Sequence, residues 1–109
     1  MACGEPSASD PAGAGFLAAV DEALASTAAG APPGFVLLSA GFDGLRGDPL
    51  GDVGLTPRDY FEATVRVRKF AEQFCGGRLV SVLEGGYGDA LGEAAVQHVR
   101  ALAGLQPAA

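Results

Sequence analysis

Two short apolar runs separated by a long helical segment constrain the fold of this chain more than any other feature. The runs are Phe35–Leu38 and Leu79–Leu83, and each is bounded by glycine, proline or polar residues. Runs of this length indicate strands buried on both faces, as in a parallel sheet. A helix of about 18 residues between two such strands requires a parallel crossover. The sequence therefore predicts an α/β fold with a parallel sheet.

The central helix has clear start and stop signals. Thr56 is a good N-cap, Pro57 suits the first helical position, and Asp59 places an acid in the first turn. Gly76 and Gly77 end the helix. Apolar residues at helical spacing predict its buried face: Tyr60, Thr64, Val67, Ala71 and Phe74, with Phe61 and Val65 at the edge.

Two further helices flank the strands. Phe16–Leu24 has helical spacing and is stopped by Gly30 and the prolines that follow. Asp89 is a candidate cap for a last helix, whose predicted buried face contains Leu91, Ala94, Ala95, Val99, Leu102 and Leu105. We expect a single domain over 1–109, in which 1–15 is a loose leader and 16–105 is helix-strand-helix-strand-helix.

Composition argues against several classes of function. The chain has 109 residues, the size of one domain, with 13 acidic residues against 7 Lys and Arg. This balance argues against direct binding to nucleic acid. No apolar run is long enough for a membrane span, and the N-terminus lacks the pattern of a secretory signal. Cys3 and Cys75 form no paired motif, so we expect a cytoplasmic protein, or a nuclear one if the source is eukaryotic.

Two glycine-rich loops carry the residues with candidate chemistry. Ser39–Gly51 follows the first strand and contains Asp43 and Asp48; Glu84–Asp89 follows the second and contains Tyr87. The carboxyl ends of parallel strands lie at one edge of a sheet, where open α/β folds bind ligands. Asp43, Asp48 and Tyr87 are therefore predicted to share a site.

The two loops resemble active-site loops of the zinc-dependent histone deacetylase family, most closely its class II and bacterial deacetylase-like amidohydrolases. Ser39–Gly51, Leu55–Pro57 and Leu83–Tyr87 carry this resemblance, which extends over about residues 11–105. It implies a three-layer α/β/α fold with a parallel sheet, arginase/deacetylase-like, of which the C-terminal portion is present here.

The resemblance also implies roles for individual residues. Asp48 would be a zinc ligand, and Tyr87 would donate a hydrogen bond to the substrate carbonyl, whose amide the zinc ion would polarise. Leu55 would line the acyl-lysine channel, and Gly85 and Gly86 would let the main chain approach it closely. After Tyr87 the family usually has Asn-Leu, where this chain has Gly88-Asp89.

The chain lacks other residues that the family needs for catalysis. The family takes its other two zinc ligands from an upstream Asp-x-His motif and its general base from a His-His pair, and the chain contains neither. One carboxylate cannot hold a catalytic zinc ion, which needs three protein ligands. We therefore expect a segment that is inactive alone and needs the missing N-terminal part or a partner chain.

Three functions remain open. The first is a piece of a deacetylase that hydrolyses the amide of acetylated lysine, in a histone or another protein, or a related acetylated amine. The second is one half of a split deacetylase. The third is a non-catalytic α/β interaction module that kept the loops by descent. Because two strands leave an apolar edge open, the isolated chain is expected to be marginally stable or to need a partner.

The candidate residues also have simpler interpretations. Asp48 before proline is typical of a turn, and Tyr87 alone is typical of a packed aromatic residue. We expect Asp43 to be a structural carboxylate that accepts loop N–H groups. His98, the only histidine, is expected to be a surface or packing residue away from both loops, and Cys75 a small core residue.

Overall fold

The computed structural model describes residues 11–31 and 33–108 and contains the predicted order of elements. The elements are α1 Pro11–Ala29, β1 Val36–Gly41, α2 Pro57–Phe74, β2 Leu79–Gly85 and α3 Leu91–Leu102. Residues 1–10 of the predicted leader lie outside the described residues. Residues 11–15 are not a leader but the beginning of α1, which starts at a proline, a residue well suited to the first helical position.

The two strands are parallel neighbours, as the crossover argument predicted. They pair in register from Val36 with Leu79 to Ala40 with Leu83, and an irregularity then brings Gly41 opposite Gly85. Both strands end at the same edge, so the loops that follow them leave from neighbouring points.

The start of α2 is fixed by a capping box. The Thr56 hydroxyl accepts from Asp59 N at 3.2 Å, and the Asp59 carboxylate accepts from Thr56 N at 2.9 Å. Asp59 is fully buried because it also packs against Gly13 in α1. The predicted acid of the first turn therefore joins two helices as well as capping one.

The helices cover one face of the sheet. Val36 packs with Phe70, Ala71 and Cys75, and Ala40 packs in a second cluster with Phe42, Leu45 and Ala94. The Cys75 thiol is fully buried and donates to the Pro33 carbonyl oxygen at 3.2 Å.

The opposite face of the sheet is left uncovered by the residues of 11–31 and 33–108. Leu37 is 67% exposed, and Val80 and Val82 are 47% and 46% exposed. The prediction that the strands are buried on both faces is therefore wrong for these residues. The described helices pack on one side only, so alternate strand residues face outward.

The buried face of α3 differs from the predicted one. Ala94, Gln97, His98 and Ala101 are buried, whereas Val99 is 61% exposed. His98 hydrogen-bonds to Thr64 of α2 and the Ala101 carbonyl oxygen accepts from Arg68 of α2, whereas Gln97 bonds to Ala108. The N-cap of α3 is Ala90, with no side-chain capping bond, so the predicted cap role of Asp89 is also wrong. Within 11–31 and 33–108, none of the helices combines the length and apolar character needed to cross a bilayer.

Candidate active site

The loop after β1 is held by its own main-chain hydrogen bonds. Phe42 N donates to Gly85 O at 2.9 Å and so extends the contact between the strands. Arg46 N donates to Leu55 O at 2.8 Å, beside a bridge between Leu45 and Leu55. The long loop is thus a closed structure whose ends both lie near the sheet edge.

Asp48 joins this loop to the one that follows β2. One carboxylate oxygen, Oδ1, accepts from Leu50 N at 2.8 Å and from Gly51 N at 3.1 Å, and Oδ2 accepts from Tyr87 N at 2.8 Å. The side chain is buried, at 5% exposure for the residue. The predicted meeting of Asp48 and Tyr87 at one sheet edge is therefore confirmed.

The same contacts set the charge state of this carboxyl group. The Tyr87 N–H lowers the pKa of Asp48 below its ordinary value, and the N–H groups of Leu50, Gly51 and Gly88 act in the same direction against the opposing effect of burial. Asp48 is therefore anionic at neutral pH and acts only as an acceptor.

In the described part of the chain, no loop N–H group is found to donate to the Asp43 carboxylate, so its expected structural role stays a prediction. Its main-chain carbonyl oxygen, rather than its side chain, accepts from Asp52 N at 2.8 Å. The carboxylate that orders loop N–H groups is that of Asp48. The two aspartates are similar in the sequence, but only Asp48 is buried beneath the second loop.

Tyr87 presents its side chain outward while its main chain is anchored. The residue is 61% exposed. The preceding Gly86 has φ of +129°, and a Cβ added there would lie 2.8 Å from Leu91 Cδ1 and 2.9 Å from Phe42 Cβ. The close approach that this glycine permits is therefore to the core of the chain itself.

The other predicted channel residues are placed as follows. Gly85 ends β2 opposite Gly41. Leu55 is 3% exposed, and its role in lining a substrate channel stays a prediction. The open apolar side chains of this loop are instead Leu50 and Val53, at 74% and 65% exposure.

Tyr60 belongs to the site region, although its helical position predicted only a core residue. A Cβ added at Gly44 would lie 2.8 Å from the Tyr60 hydroxyl oxygen, so the phenol lies against the loop. Partial burial raises the pKa of Tyr60, and the charges of Asp43, Asp48 and Asp59 act in the same direction, against a hydrogen bond from Gly44. The sequence signal that could have identified Tyr60 as a site residue is its position in the first turn of α2, directly after the loop.

His98 is a packing residue, as expected, but it does not lie away from the loops. Its ring is 5.6 Å from that of Phe42, in an edge-on arrangement. Nδ1 and Nε2 each lie 2.8 Å from a hydroxyl oxygen, of Thr64 and Ser81 respectively. Burial lowers the pKa of His98.

The tautomer of His98 follows from the Thr64 hydroxyl. The Thr64 proton is donated to the Tyr60 carbonyl oxygen at 2.7 Å, an atom that can only accept. Thr64 must then accept from Nδ1–H of His98, and Ser81 must donate to Nε2. The neutral ring therefore ties α2, α3 and β2 together.

The described residues fit one position of a zinc centre and not a complete one. In the ranges 11–31 and 33–108, no three His, Cys, Asp or Glu side chains are grouped so as to hold a metal ion. The Asp48 carboxylate could supply one ligand, and further donors must come from elsewhere.

The chain is similar to known histone deacetylases in sequence and in structure. The histone deacetylase domain matches residues 5–102. Histone deacetylase 6 of Caenorhabditis elegans is 41% identical over 93 residues, which are 84% of this chain and 9% of that protein. The solved HD domain of HDA15 is 36% identical with a TM-score of 0.58, over 84% of this chain and 24% of that one.

A second solved structure, that of the histone deacetylase Clr3, has a TM-score of 0.61 at 32% identity, over 72% of this chain and 13% of that one. These likenesses confirm the arginase/deacetylase-like α/β fold. The chain spans only 9% to 24% of the three proteins. Such shares do not locate the chain within them, so its assignment to the C-terminal portion of a catalytic domain stays a prediction. The family itself is established by the match over most of the chain: this protein belongs to the histone deacetylase family.

Proposed function

We propose that the chain is a segment of a zinc-dependent deacetylase that hydrolyses the amide of acetylated lysine, in a histone or another protein, or a related acetylated amine. The observation that carries the proposal is the Asp48–Tyr87 connection. It brings one carboxylate and one exposed phenol to the same sheet edge, within a chain that matches the histone deacetylase domain.

The two residues would have different tasks. Asp48, anionic and buried, would provide one zinc ligand. Tyr87 would donate its hydroxyl proton to the carbonyl oxygen of the substrate as negative charge develops there. Its exposed side chain is free to meet a ligand that approaches the edge from solvent.

The chain is proposed to be inactive alone and to act together with the rest of the domain or with a partner chain. The uncovered sheet face supports this, since large apolar patches on soluble proteins mark contact surfaces. A net charge of −6 supports the absence of direct nucleic-acid binding. The proposed location is the cytoplasm, or the nucleus in a eukaryote, with no membrane association.

The proposed function can be tested with a chimaeric protein, called the graft. Residues 5–102, the range of the family match, would replace the corresponding segment of the HDA15 HD domain. Zinc-dependent hydrolysis of an acetyl-lysine peptide would be measured for the parent, the graft, and grafts carrying Asp48→Ala or Tyr87→Phe. Asp52→Asn is the control, because Asp52 is an exposed loop carboxylate at φ of +57°, a conformation that asparagine also tolerates, and its side chain accepts from Gly54 N.

We expect the graft and its Asp52→Asn control to be active, and the Asp48 and Tyr87 variants to lose at least about a hundredfold in activity. A folded but inactive graft beside an active parent would contradict the proposal. Equal activity in all grafts would favour the non-catalytic interaction module. Hydrolysis by the 109-residue chain on its own would contradict the proposed inactivity and the need for further zinc ligands.

A further inference from the structure

We infer that Asp48 is a positioning residue for Tyr87: its carboxylate fixes the main chain of the Tyr87 loop against the loop after β1, through hydrogen bonds that involve no metal ion. For catalysis, this role rests on the proposed function, in which Tyr87 faces the substrate carbonyl. As a structural tie between the two loops, it stands on the contacts alone.

The tie spans a large distance along the chain. Asp48 and Tyr87 are 39 residues apart, yet Oδ2 of the first lies 2.8 Å from the main-chain nitrogen of the second. The loops are also in close contact here, since a Cβ added at Gly88 would lie 3.2 Å from Asp48 Cα. At 5% exposure, the Asp48 carboxylate is shielded from water that would compete for these bonds.

Among the described residues, Asp48 Oδ2 is the acceptor found for the main-chain N–H of Tyr87 itself. Its side chain is 61% exposed, so side-chain packing does little to hold it. Glycines stand on both sides, at positions 86 and 88, and glycine gives the main chain unusual freedom. The main-chain position from which the phenol extends therefore depends on the hydrogen bond from Tyr87 N to Asp48.

The chemistry of the tie requires a carboxylate. Oδ1 serves the Leu50 and Gly51 N–H groups while Oδ2 serves Tyr87 N–H, so both oxygens must accept. An asparagine side chain has one accepting oxygen, and its NH₂ group would face an N–H donor on the other side. Asp48→Asn, although nearly the same size, should therefore release at least one of the two loops.

The test is amide hydrogen exchange of the isotope-labelled 109-residue chain, followed by NMR with EDTA present. We expect protection at Tyr87, Leu50 and Gly51 in the unmodified chain and in Asp52→Asn, the neutral control in the same loop. In Asp48→Ala all three amides should exchange at least about tenfold faster. In Asp48→Asn faster exchange is expected either at the Tyr87 amide or at the amides of both Leu50 and Gly51.

Unchanged exchange at Tyr87 in Asp48→Ala would overturn the inference. If that variant does not fold, Asp48→Asn decides, and unchanged exchange at all three amides would overturn it. Protection of Tyr87 that appears only when zinc replaces EDTA would overturn it as well. These measurements need neither substrate nor activity, so an inactive graft would refute the proposed function and leave the exchange result standing.

Discussion

Replacing Gly13 with alanine should destabilise the chain, although alanine normally favours a helix. Gly13 is buried in α1 against the fully buried Asp59. An added Cβ would lie 2.9 Å from both Cγ and Oδ2 of Asp59, closer than real Cβ contacts. Asp59 cannot retreat freely, because Oδ2 accepts from Thr56 N at 2.9 Å in the capping box of α2. Either α1 moves away or the cap of α2 is lost.

The size of this loss in stability follows from two costs and one gain. Overpacking costs about 1–3 kcal/mol, and losing a helix cap costs about 1 kcal/mol. Replacing glycine by alanine inside a helix returns about 0.5–1 kcal/mol. The expected net loss in the free energy of unfolding is about 1–3 kcal/mol.

Gly15 provides the matched control. It lies in the same helix, is exposed, and a Cβ added there would meet nothing within 4 Å. Gly15→Ala should therefore stabilise the chain by about 0.5–1 kcal/mol. Urea unfolding followed by far-ultraviolet circular dichroism would compare the two midpoints. The same added methyl group should thus act with opposite sign at two positions.

Equal or greater stability of Gly13→Ala relative to Gly15→Ala would refute the close docking of α1 on Asp59. A double-mutant cycle sharpens the result. In an Asp59→Ala background, which removes the carboxylate, Gly13→Ala should lose most of its cost. If that cost is unchanged, the clash lies elsewhere.

Three other changes test separate parts of the structure. Burial lowers the pKa of His98 below its ordinary value of 6.5, so the unfolded chain binds the proton first as pH falls. The free energy of unfolding should thus decrease on going from about pH 7 to 5. In urea unfolding of His98→Gln this decrease should be absent. The same dependence of unfolding free energy on pH in the variant would show that His98 is not its source. Gly86→Ala, at φ of +129° and against the core, should cost about 1–3 kcal/mol in the same assay, whereas Gly92→Ala, with nothing within 4 Å, should be neutral or stabilising. The isolated chain should self-associate through the uncovered sheet face, which carries Leu37 and Val82. The double variant Leu37→Thr, Val82→Thr should then reduce this association in sedimentation velocity and change stability by at most about 1 kcal/mol. A monomeric parent chain, or unchanged association in the variant, would argue against that face as a contact surface.

The sequence was sufficient for the order of elements and for the meeting of the two loops. Both conclusions depend on local patterns, since Thr56 and Pro57 mark a helix start and the flanking apolar runs mark strands. A parallel crossover places the carboxyl ends of both strands at the same edge of the sheet, and with them Asp48 and Tyr87.

The errors arose where the tertiary arrangement decides. Spacing suggested Val99 for the buried face of α3, but the hydrogen bonds of His98 and Ala101 to α2 turn that side of the helix inward and leave Val99 exposed. The roles of Asp43 and Asp48 depend on which carboxylate the second loop covers, and no local pattern contains that information. His98 was recognised as a packing residue, but its partners come from α2 and β2, 34 and 17 residues away.

The buried thiol of Cys75 makes the corner between α2 and β2 measurable without any added label. The thiol is fully buried and donates to Pro33 O at 3.2 Å, so a thiol reagent can reach it only while this corner is open. With Cys3 replaced by serine, the rate of alkylation would report the frequency of that opening. If the alkylation rate of Cys75 and the amide exchange rate of Tyr87 change in parallel, the two ends of the sheet open together; if they change separately, the two ends open independently.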